Sequence, residues 1–514
     1  TSTAAGDITF NSPVAVTSNA TVTSSNSPVV FASTLDGSKA LTVNSGTATK
    51  TFTGAVGADN LLGAATGGAA LVLQGSGASS FASTVATRSG ITAAGAVSFG
   101  GDVSLGNGDT GSTFSGRVTT GAGVANLSGY DGISFAGGLT LGADLGVVSN
   151  GSTIAFGNTV LGAHALTLNA LAGGAGTVTG LDQVGPSSAL TALSVTGQTL
   201  SLPATGLAVA GPMDFNAAGG ITLNGAVGSA ATPATGRIDF NGPVTLATGA
   251  VAVTTANADV QFAGTVNGAQ ALAVDSGTGT TTFNGAVGGS TAISSLSTNA
   301  TGHTVIAGGS VRSSGSQNYQ GTVALNAGTT LASTAAGDIT LGGAVNSDDV
   351  ATPWALTINT AGNTAFNGVV GGTAPLASIS TDVAGTVTVN TTQITTTGSQ
   401  TYREAMTLAS DATLSGLGVS LATVDGAHAL TVDAGSGTAA LNGLVGGTTP
   451  LAALTVSGSA VTLGANITTA NGDVDVTGPT TLAGDVTIDT GAGAGDITFS
   501  GTSSAINGAH ALTL

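Results

Sequence analysis

The sequence predicts an all-β fold, a right-handed parallel β-helix (β-solenoid) wound from coils of ~20 residues, with no helical domain. Three observations lead there: phrases that recur along the whole chain, a strand-like texture without a helical period, and corners rich in glycine and poor in charge.

The repeats carry the most information. A phrase built on Ala-Leu-Thr/Ala and then Val, Leu or Ile recurs six times, with its leucine at Leu41, Leu166, Leu272, Leu356, Leu430 and Leu512. A second phrase, Phe-Asn-Gly-Ala-Val-Gly, begins at Phe283 and returns in close copies from Phe366 and Leu441. A third, Ala-Gly-Asp-Ile-Thr, contains Asp7, Asp338 and Asp496; a fourth, Gly-Ser-Gln-x-Tyr, ends on Tyr319 and Tyr402. Successive leucines of the first phrase lie 125, 106, 84, 74 and 82 residues apart. Tandem immunoglobulin-like domains of ~100 residues would give a period near 83 but not 125 and 106. The excesses, 19 and 22 residues, each match about one coil, and a solenoid gains whole coils without disturbing its neighbours. The 74-residue interval implies a trimmed loop. Residues 1–514 therefore read as a single continuous β-helix repeat region. Thr1 opens inside one phrase and Leu514 stops inside another, so the expectation is a segment of a longer repeat chain.

The strands come next. Runs such as Val387-Thr388-Val389 and Val323-Ala324-Leu325 alternate with a period of two, which puts one face inward and one outward. Leu166, Leu272, Leu356 and Leu430 are expected inside, with the next residue outside. No segment sustains a 3.6 period, and 84 glycines in 514 residues penalise helix heavily. Asn-Gly pairs, among them Asn284 and Asn367 with their following glycines, fit corners between parallel sheets, where positive φ is cheap. Three strands and three corners make one coil. About 25 coils at ~4.8 Å each would form a rod ~120 Å long. A core so narrow, filled by Val, Leu, Ile and Ala, is expected to leave little room for aromatics.

Composition narrows the alternatives. Only 6% of residues are charged, where about a quarter is usual. No apolar run approaches the ~18 residues of a membrane span. Val, Leu and Ile recur too evenly for disorder, and glycine has no collagen period. The net charge is -18, and seven scattered Lys and Arg cannot neutralise a row of phosphates, so no nucleic-acid partner is expected. Cysteine is absent, which removes disulfides, thiolate metal sites and thiol nucleophiles. The first residues show no signal-peptide pattern.

The phrase Gly-Ala-His-Ala-Leu-Thr around His164, His428 and His510, the Phe-Asn-Gly-Ala-Val-Gly-Gly phrase from Phe283 and the Gly-Asp-Ile-Thr-Phe phrase at Asp7 and Asp496 form a recognisable set. Together they resemble the long repeat regions of filamentous-haemagglutinin-like exoproteins and autotransporter passengers of Gram-negative bacteria. The resemblance spans residues 1 to 514. It implies a right-handed β-helix, export in an unfolded state and a place on or beyond the outer surface; the lack of cysteine is similar to such chains. The sequence departs from the pattern in having no Asn-Pro-Asn-Gly secretion motif, no anchoring barrel and no Arg-Gly-Asp.

Candidate chemistry is sparse. Asp348-Asp349 is the only adjacent pair of acids, and no basic or aromatic residue lies beside it in sequence, so solvated loop acids are expected rather than a glycosidase pair. His164, His428 and His510 share a repeat position but lie several coils apart, too far to hold one metal ion. Asp7, Asp338 and Asp496 read as turn-closing carboxylates. Gly106-Asn107-Gly108-Asp109 and Gly493-Ala494-Gly495-Asp496 stand alone, without the tandem frame of calcium-binding nonapeptides. No cofactor is expected, with calcium the one ion left open. Tyr319, Tyr402 and Trp354 could make a sugar-stacking surface, but their repeat positions favour packing. Asn-x-Ser/Thr triplets at Asn19, Asn126, Asn150, Asn299, Asn390 and Asn466 follow from composition. Thr-x-Thr strings such as Thr386-Val387-Thr388 are too irregular along the chain for a flat threonine face.

The expected role is structural and adhesive: an extracellular fibre or stalk on the bacterial surface, not an enzyme, with no catalytic, cofactor-binding or metal-binding residues. Its partners would be other copies of itself, or glycans and proteins of a host or neighbouring cell. The competing readings are a self-assembling filament or surface-layer protein and, behind it, a glycan-processing β-helix enzyme.

Overall fold

The computed structural model describes residues 6–108, 110–172, 174–185, 188–204, 207, 209–228, 234–501 and 505–514. They form an all-parallel β-solenoid with turns of about 21 residues, no α-helix and one short 3-10 segment, Leu181–Gln183. Two compact units result, one of Thr1–Thr248 and Thr254–Ala256, the other of Gly249–Val253 and Asn257–Leu514. Together they make about 23 turns, close to the expected ~25, because each turn is slightly longer than ~20 residues.

Most turns carry three short strands, with a single bridging residue such as Val56, Val287 or Val370 standing in for one of them in others. In the first unit Val29–Phe31, Leu35–Asp36 and Leu41–Asn44 complete a turn, and Lys50–Phe52 then pairs in parallel with Val29–Phe31. In the second, Gln317–Tyr319, Thr322–Leu325 and Thr329–Ser333 are followed by Ile339–Leu341, which pairs with Gln317–Tyr319. The Asn-Gly pairs therefore sit at corners and not in hairpins. Registers such as Ile8↔Val29 and Val29↔Lys50 advance 21 residues. Corner loops take up the variation: Lys50↔Ser79 advances 29 and Ser79↔Val97 only 18.

The alternation places Leu41, Leu166, Leu272, Leu356 and Leu430 in the core, each at 2% exposure or less. The residues after them face outward: Thr167 and Ala273 are exposed, Thr357 and Thr431 half-buried. Aromatics are not excluded from this core, contrary to the sequence expectation. In the first unit Phe10, Phe31, Phe52, Phe81 and Phe99 stack on successive turns with ring centroids 4.5 to 5.3 Å apart. Phe99 then meets Phe114 edge to face at 5.9 Å, and the column continues on a second sheet through Phe135 and Phe156. A narrow core accommodates a phenyl ring in every turn when the rings lie nearly parallel to those above and below.

Corner glycines serve close approach more than unusual dihedrals. Of the ten asparagines that precede glycine, only Asn471 has a positive φ, 66°. A Cβ on Gly368, in the Phe-Asn-Gly phrase, would sit 2.2 Å from the carbonyl carbon of Gly343 in the turn before. No side chain fits there. Three residues on, Gly371 does require the left-handed region, with φ at 69°.

The register also explains the long repeat. Leu356 pairs with Ile379, Ile379 with Gln400 and Gln400 with Val419, which makes three turns on one sheet. Two further strands, Val424–Asp425 and Ala429–Asp433, bring the chain to Leu430 on a different sheet. Leu272 to Leu356 and Leu430 to Leu512 cover the same three turns and two strands. The 74-residue interval thus holds as many strands as its neighbours and has shorter corners. Each copy of the phrase in the second unit falls on the next sheet around.

Two substitutions check this packing by thermal melting of the intact chain. Leu356→Asp places an unpaired carboxyl in an apolar column and is expected to cost several kcal/mol, roughly 3 to 5. Gly368→Ala is expected to lower the melting temperature as well. An unchanged melt for either would contradict the inward register or the close coil contact.

Candidate binding surface

What the turns present outward is mostly hydroxyl. On three-residue strands the middle residue points out, and the register stacks these residues one per turn. On one sheet of the first unit the column runs Thr9, Val30, Thr51, Ser80, Ser98, Thr119 and Thr140. Another runs Thr92, Thr113 and Ser134. In the second unit Thr330, Thr357, Ser380, Thr401 and Ser420 align, and after Ala440 come Thr462 and Thr481. The sequence spacing looks irregular because corner lengths vary; the strands themselves are in step. Neighbouring hydroxyls in a column are therefore about one strand spacing, ~4.8 Å, apart.

These columns line shallow concavities. Thr51, Ser80, Ser98 and Thr119 border one of about 200 Å³ with Thr49 and Ser79. Among the described residues the side chains of Thr51, Ser80, Ser98 and Thr119 make no hydrogen bond to the protein. A second hollow of about 310 Å³ lies over Thr113, Ser134 and Thr153. A third, of about 440 Å³, is bordered by Thr179, Asp182, Ser201, Pro203 and Asn224. There the Asn224 amide donates to Ser201 Oγ at 3.0 Å and to the Leu202 carbonyl at 2.8 Å.

The acidic and amide side chains are largely spent on the scaffold. Asp36, Asp102, Asn267, Asn346 and Asp425 each accept two consecutive backbone N–H groups from a loop of the following turn, at 2.8 to 3.3 Å. The N–H of Asn126 is foremost in holding the Asp102 carboxyl below its ordinary range. Asp338 accepts from Asn363 N–H at 2.8 Å, so this recurring acid closes the next turn and not its own. Asp473 does the same for the backbone of Asp496 at 2.9 Å. Asp109 lies outside the described residues.

The remaining sequence candidates are dispersed. Asp349 accepts from Ala351 N–H at 2.8 Å and from the Thr352 hydroxyl, which lead its carboxyl to a lowered pKa; it closes an exposed loop. His164, His428 and His510 do not meet one another. Instead their Nδ1 atoms lie 3.7, 3.5 and 3.4 Å from Asp144, Asp411 and Asp485 of the preceding turn. The same aspartates accept the N–H of Ala165, Ala429 and Ala511 at 2.9 Å. Tyr319 and Tyr402 are buried and cannot stack on sugars. Each donates its hydroxyl to a buried glutamine, Gln317 at 3.0 Å and Gln400 at 3.1 Å, and burial pushes both phenols upward. The glutamine amides in turn satisfy strand-end carbonyls, Ala332 at 2.9 Å and Ser415 at 2.8 Å. Trp354 is half-buried, with its Nε1 enclosed and unpaired.

Three buried charges escaped the sequence reading, of which Asp239, 4% exposed, is paired with Arg237. Lys50 is 1% exposed, its ammonium donates to the Gly77 carbonyl at 3.0 Å, and burial lowers its pKa. The signal was present: in Lys50-Thr51-Phe52 an inward Phe52 forces Lys50 inward too. Glu404, the single glutamate, is 2% exposed. Its pKa is pushed up to about 8, first by burial and then by the facing Asp382 carboxylate.

Lys50 yields a pH test. Its lowered pKa means the unfolded chain holds the proton more tightly, so stability from this residue rises with pH until the ordinary value of 10.5 is passed. Lys50→Met is expected to raise the melting temperature at pH 7, by an amount corresponding to about 1 to 3 kcal/mol, and to flatten that rise. Melting curves of both proteins from pH 7 to pH 10.5 check it.

The chain matches no family model, no curated protein sequence and no solved structure.

Proposed function

We propose that the chain is an extracellular adhesive scaffold whose hydroxyl-lined sheets bind neutral glycans on a neighbouring surface. The observation that carries this is the column Thr51, Ser80, Ser98 and Thr119, whose hydroxyls lie unspent along a shallow groove. Hydroxyls at one spacing per turn offer paired donors and acceptors without charge, which suits a sugar chain better than a phosphate or a basic protein. The parallel β-solenoid supports a rigid spacer role, since in-register stacking leaves few soft joints within a unit. Similarity of the repeat phrases to filamentous-haemagglutinin-like exoproteins and autotransporter passengers adds export to a bacterial surface and a right-handed winding. On this reading the chain performs no catalysis.

A glycan array probed with the intact chain tests the proposal. Binding to a neutral polysaccharide is expected, and the triple variant Thr51→Val, Ser80→Ala, Ser98→Ala should weaken it. At about 1 kcal/mol for each lost hydrogen bond, the apparent affinity falls by roughly a hundredfold. Ordered polymerisation of the purified chain without glycan binding would favour a self-assembling filament instead.

A further inference from the structure

The internal repeat supplies its own comparison for Glu404. The strand pair Ser295–Thr298 and Gln317–Tyr319 recurs 83 residues later as Ser378–Thr381 and Gln400–Tyr402. Just beyond these strands the earlier copy has Asn299 and Gly321; the later one has Asp382 and Glu404. In the earlier copy the corner is closed: a Cβ on Gly321 would lie 2.1 Å from the Gly302 carbonyl oxygen and 2.8 Å from that of Asn299. Asn299 is fully engaged there, accepting from Ser276 N–H at 3.1 Å and donating to the Thr301 hydroxyl, also at 3.1 Å. In the later copy both positions have become carboxylic acids, and they face each other across one turn.

That exchange makes little sense as packing. Glu404 replaces a glycine under a roof of backbone, and both its oxygens are buried without a hydrogen-bond partner. Asp382 uses one oxygen on the Thr360 N–H, at a long 3.4 Å. Arg403 is adjacent in sequence but gives its guanidinium to Ser380 Oγ and the Thr381 carbonyl, both at 2.8 Å, and pairs with neither acid. With both acids ionised the pair would have acceptors and no donor, which is costly in a buried corner. A positive charge between them resolves it.

We propose that Asp382 and Glu404 form a binding site for a divalent cation of the calcium type, held by the two carboxylates with backbone carbonyls of the loop formed by residues 382–385. All the donors are oxygen, which selects a hard cation, and an irregular loop suits calcium's variable six to eight ligands better than the strict octahedron of magnesium. Bound, the ion ties the loop of one turn to the corner of the next.

Isothermal titration of the EDTA-stripped intact chain with calcium chloride tests the site, alongside melting in calcium and in EDTA. One saturable class of sites is expected to vanish in Glu404→Gln, and calcium should raise the melting temperature of the parent but not of that variant. Should Glu404→Gln fail to fold, the pair Asp382→Asn and Glu404→Gly restores the arrangement that the chain already builds at Asn299 and Gly321. It should fold and bind no ion at this site. Equal calcium uptake by parent and variant, or none by either, overturns the proposal and leaves the two acids sharing a proton.

Discussion

Everything in this molecule depends on each turn lying one strand spacing, ~4.8 Å, above the last and in register with it. That spacing is fixed by backbone hydrogen bonds, so a residue's environment is set by the residues one turn earlier and later. Like then stacks on like. Phe52 and Phe81 lie 4.5 Å apart although 29 residues separate them. The Phe99–Phe114 contact shows the limit of the rule, because there the column leaves one sheet for another and the rings turn edge to face. Glycine obeys the same constraint from the other side: where corner backbones touch, as at Gly368 and Gly343, only a hydrogen can stand.

The same spacing decides how polar groups are used. Parallel strands satisfy one another, but the corners leave backbone N–H groups pointing along the stack. Aspartate and asparagine at strand ends take them up, and the acceptor belongs to the turn before the donor. Asp425 with Thr448 and Thr449, and Asn346 with Thr373 and Ala374, are the same device at different places. This is why acids are thinly scattered yet seldom idle. It also accounts for the outer surface: with carboxylates and amides engaged at corners, the sheet faces are left to serine and threonine.

The fold was largely legible in the sequence, and the reason is local. Alternation in Val387-Thr388-Val389 and the inward leucines of the repeated phrase need only nearest neighbours to read. What depends on register was not legible. Corner lengths vary from turn to turn, so Thr51, Ser80, Ser98 and Thr119 show no period in the chain and a straight column in the fold. The aromatic stack was missed for the same reason, since a core judged by its width seemed closed to phenylalanine. The candidate site residues fared worst. The Asp411 partner of His428 was not read, because it lies 17 residues upstream on another turn. Glu404 was missed because its burial is set by the neighbouring turns and not by the residues beside it in sequence.

The repeat of three turns and two strands in the second unit has a geometric effect on recognition. Were the phrase length a whole number of turns, every copy would lie on one wall, and a flat partner could engage all of them at once. The extra two strands rotate each copy to a new wall, so Leu272, Leu356 and Leu430 and the side chains around them are distributed about the circumference. The Leu512 copy returns to the wall of Leu272, three steps later, so a partner approaching any one wall meets at most two copies, set far apart along the stack. Avidity then requires partners on different sides, as in a bundle or a meshwork, and not repeated grip by one planar surface. The repeat in this way distributes its valency mainly in azimuth and only secondarily along the axis.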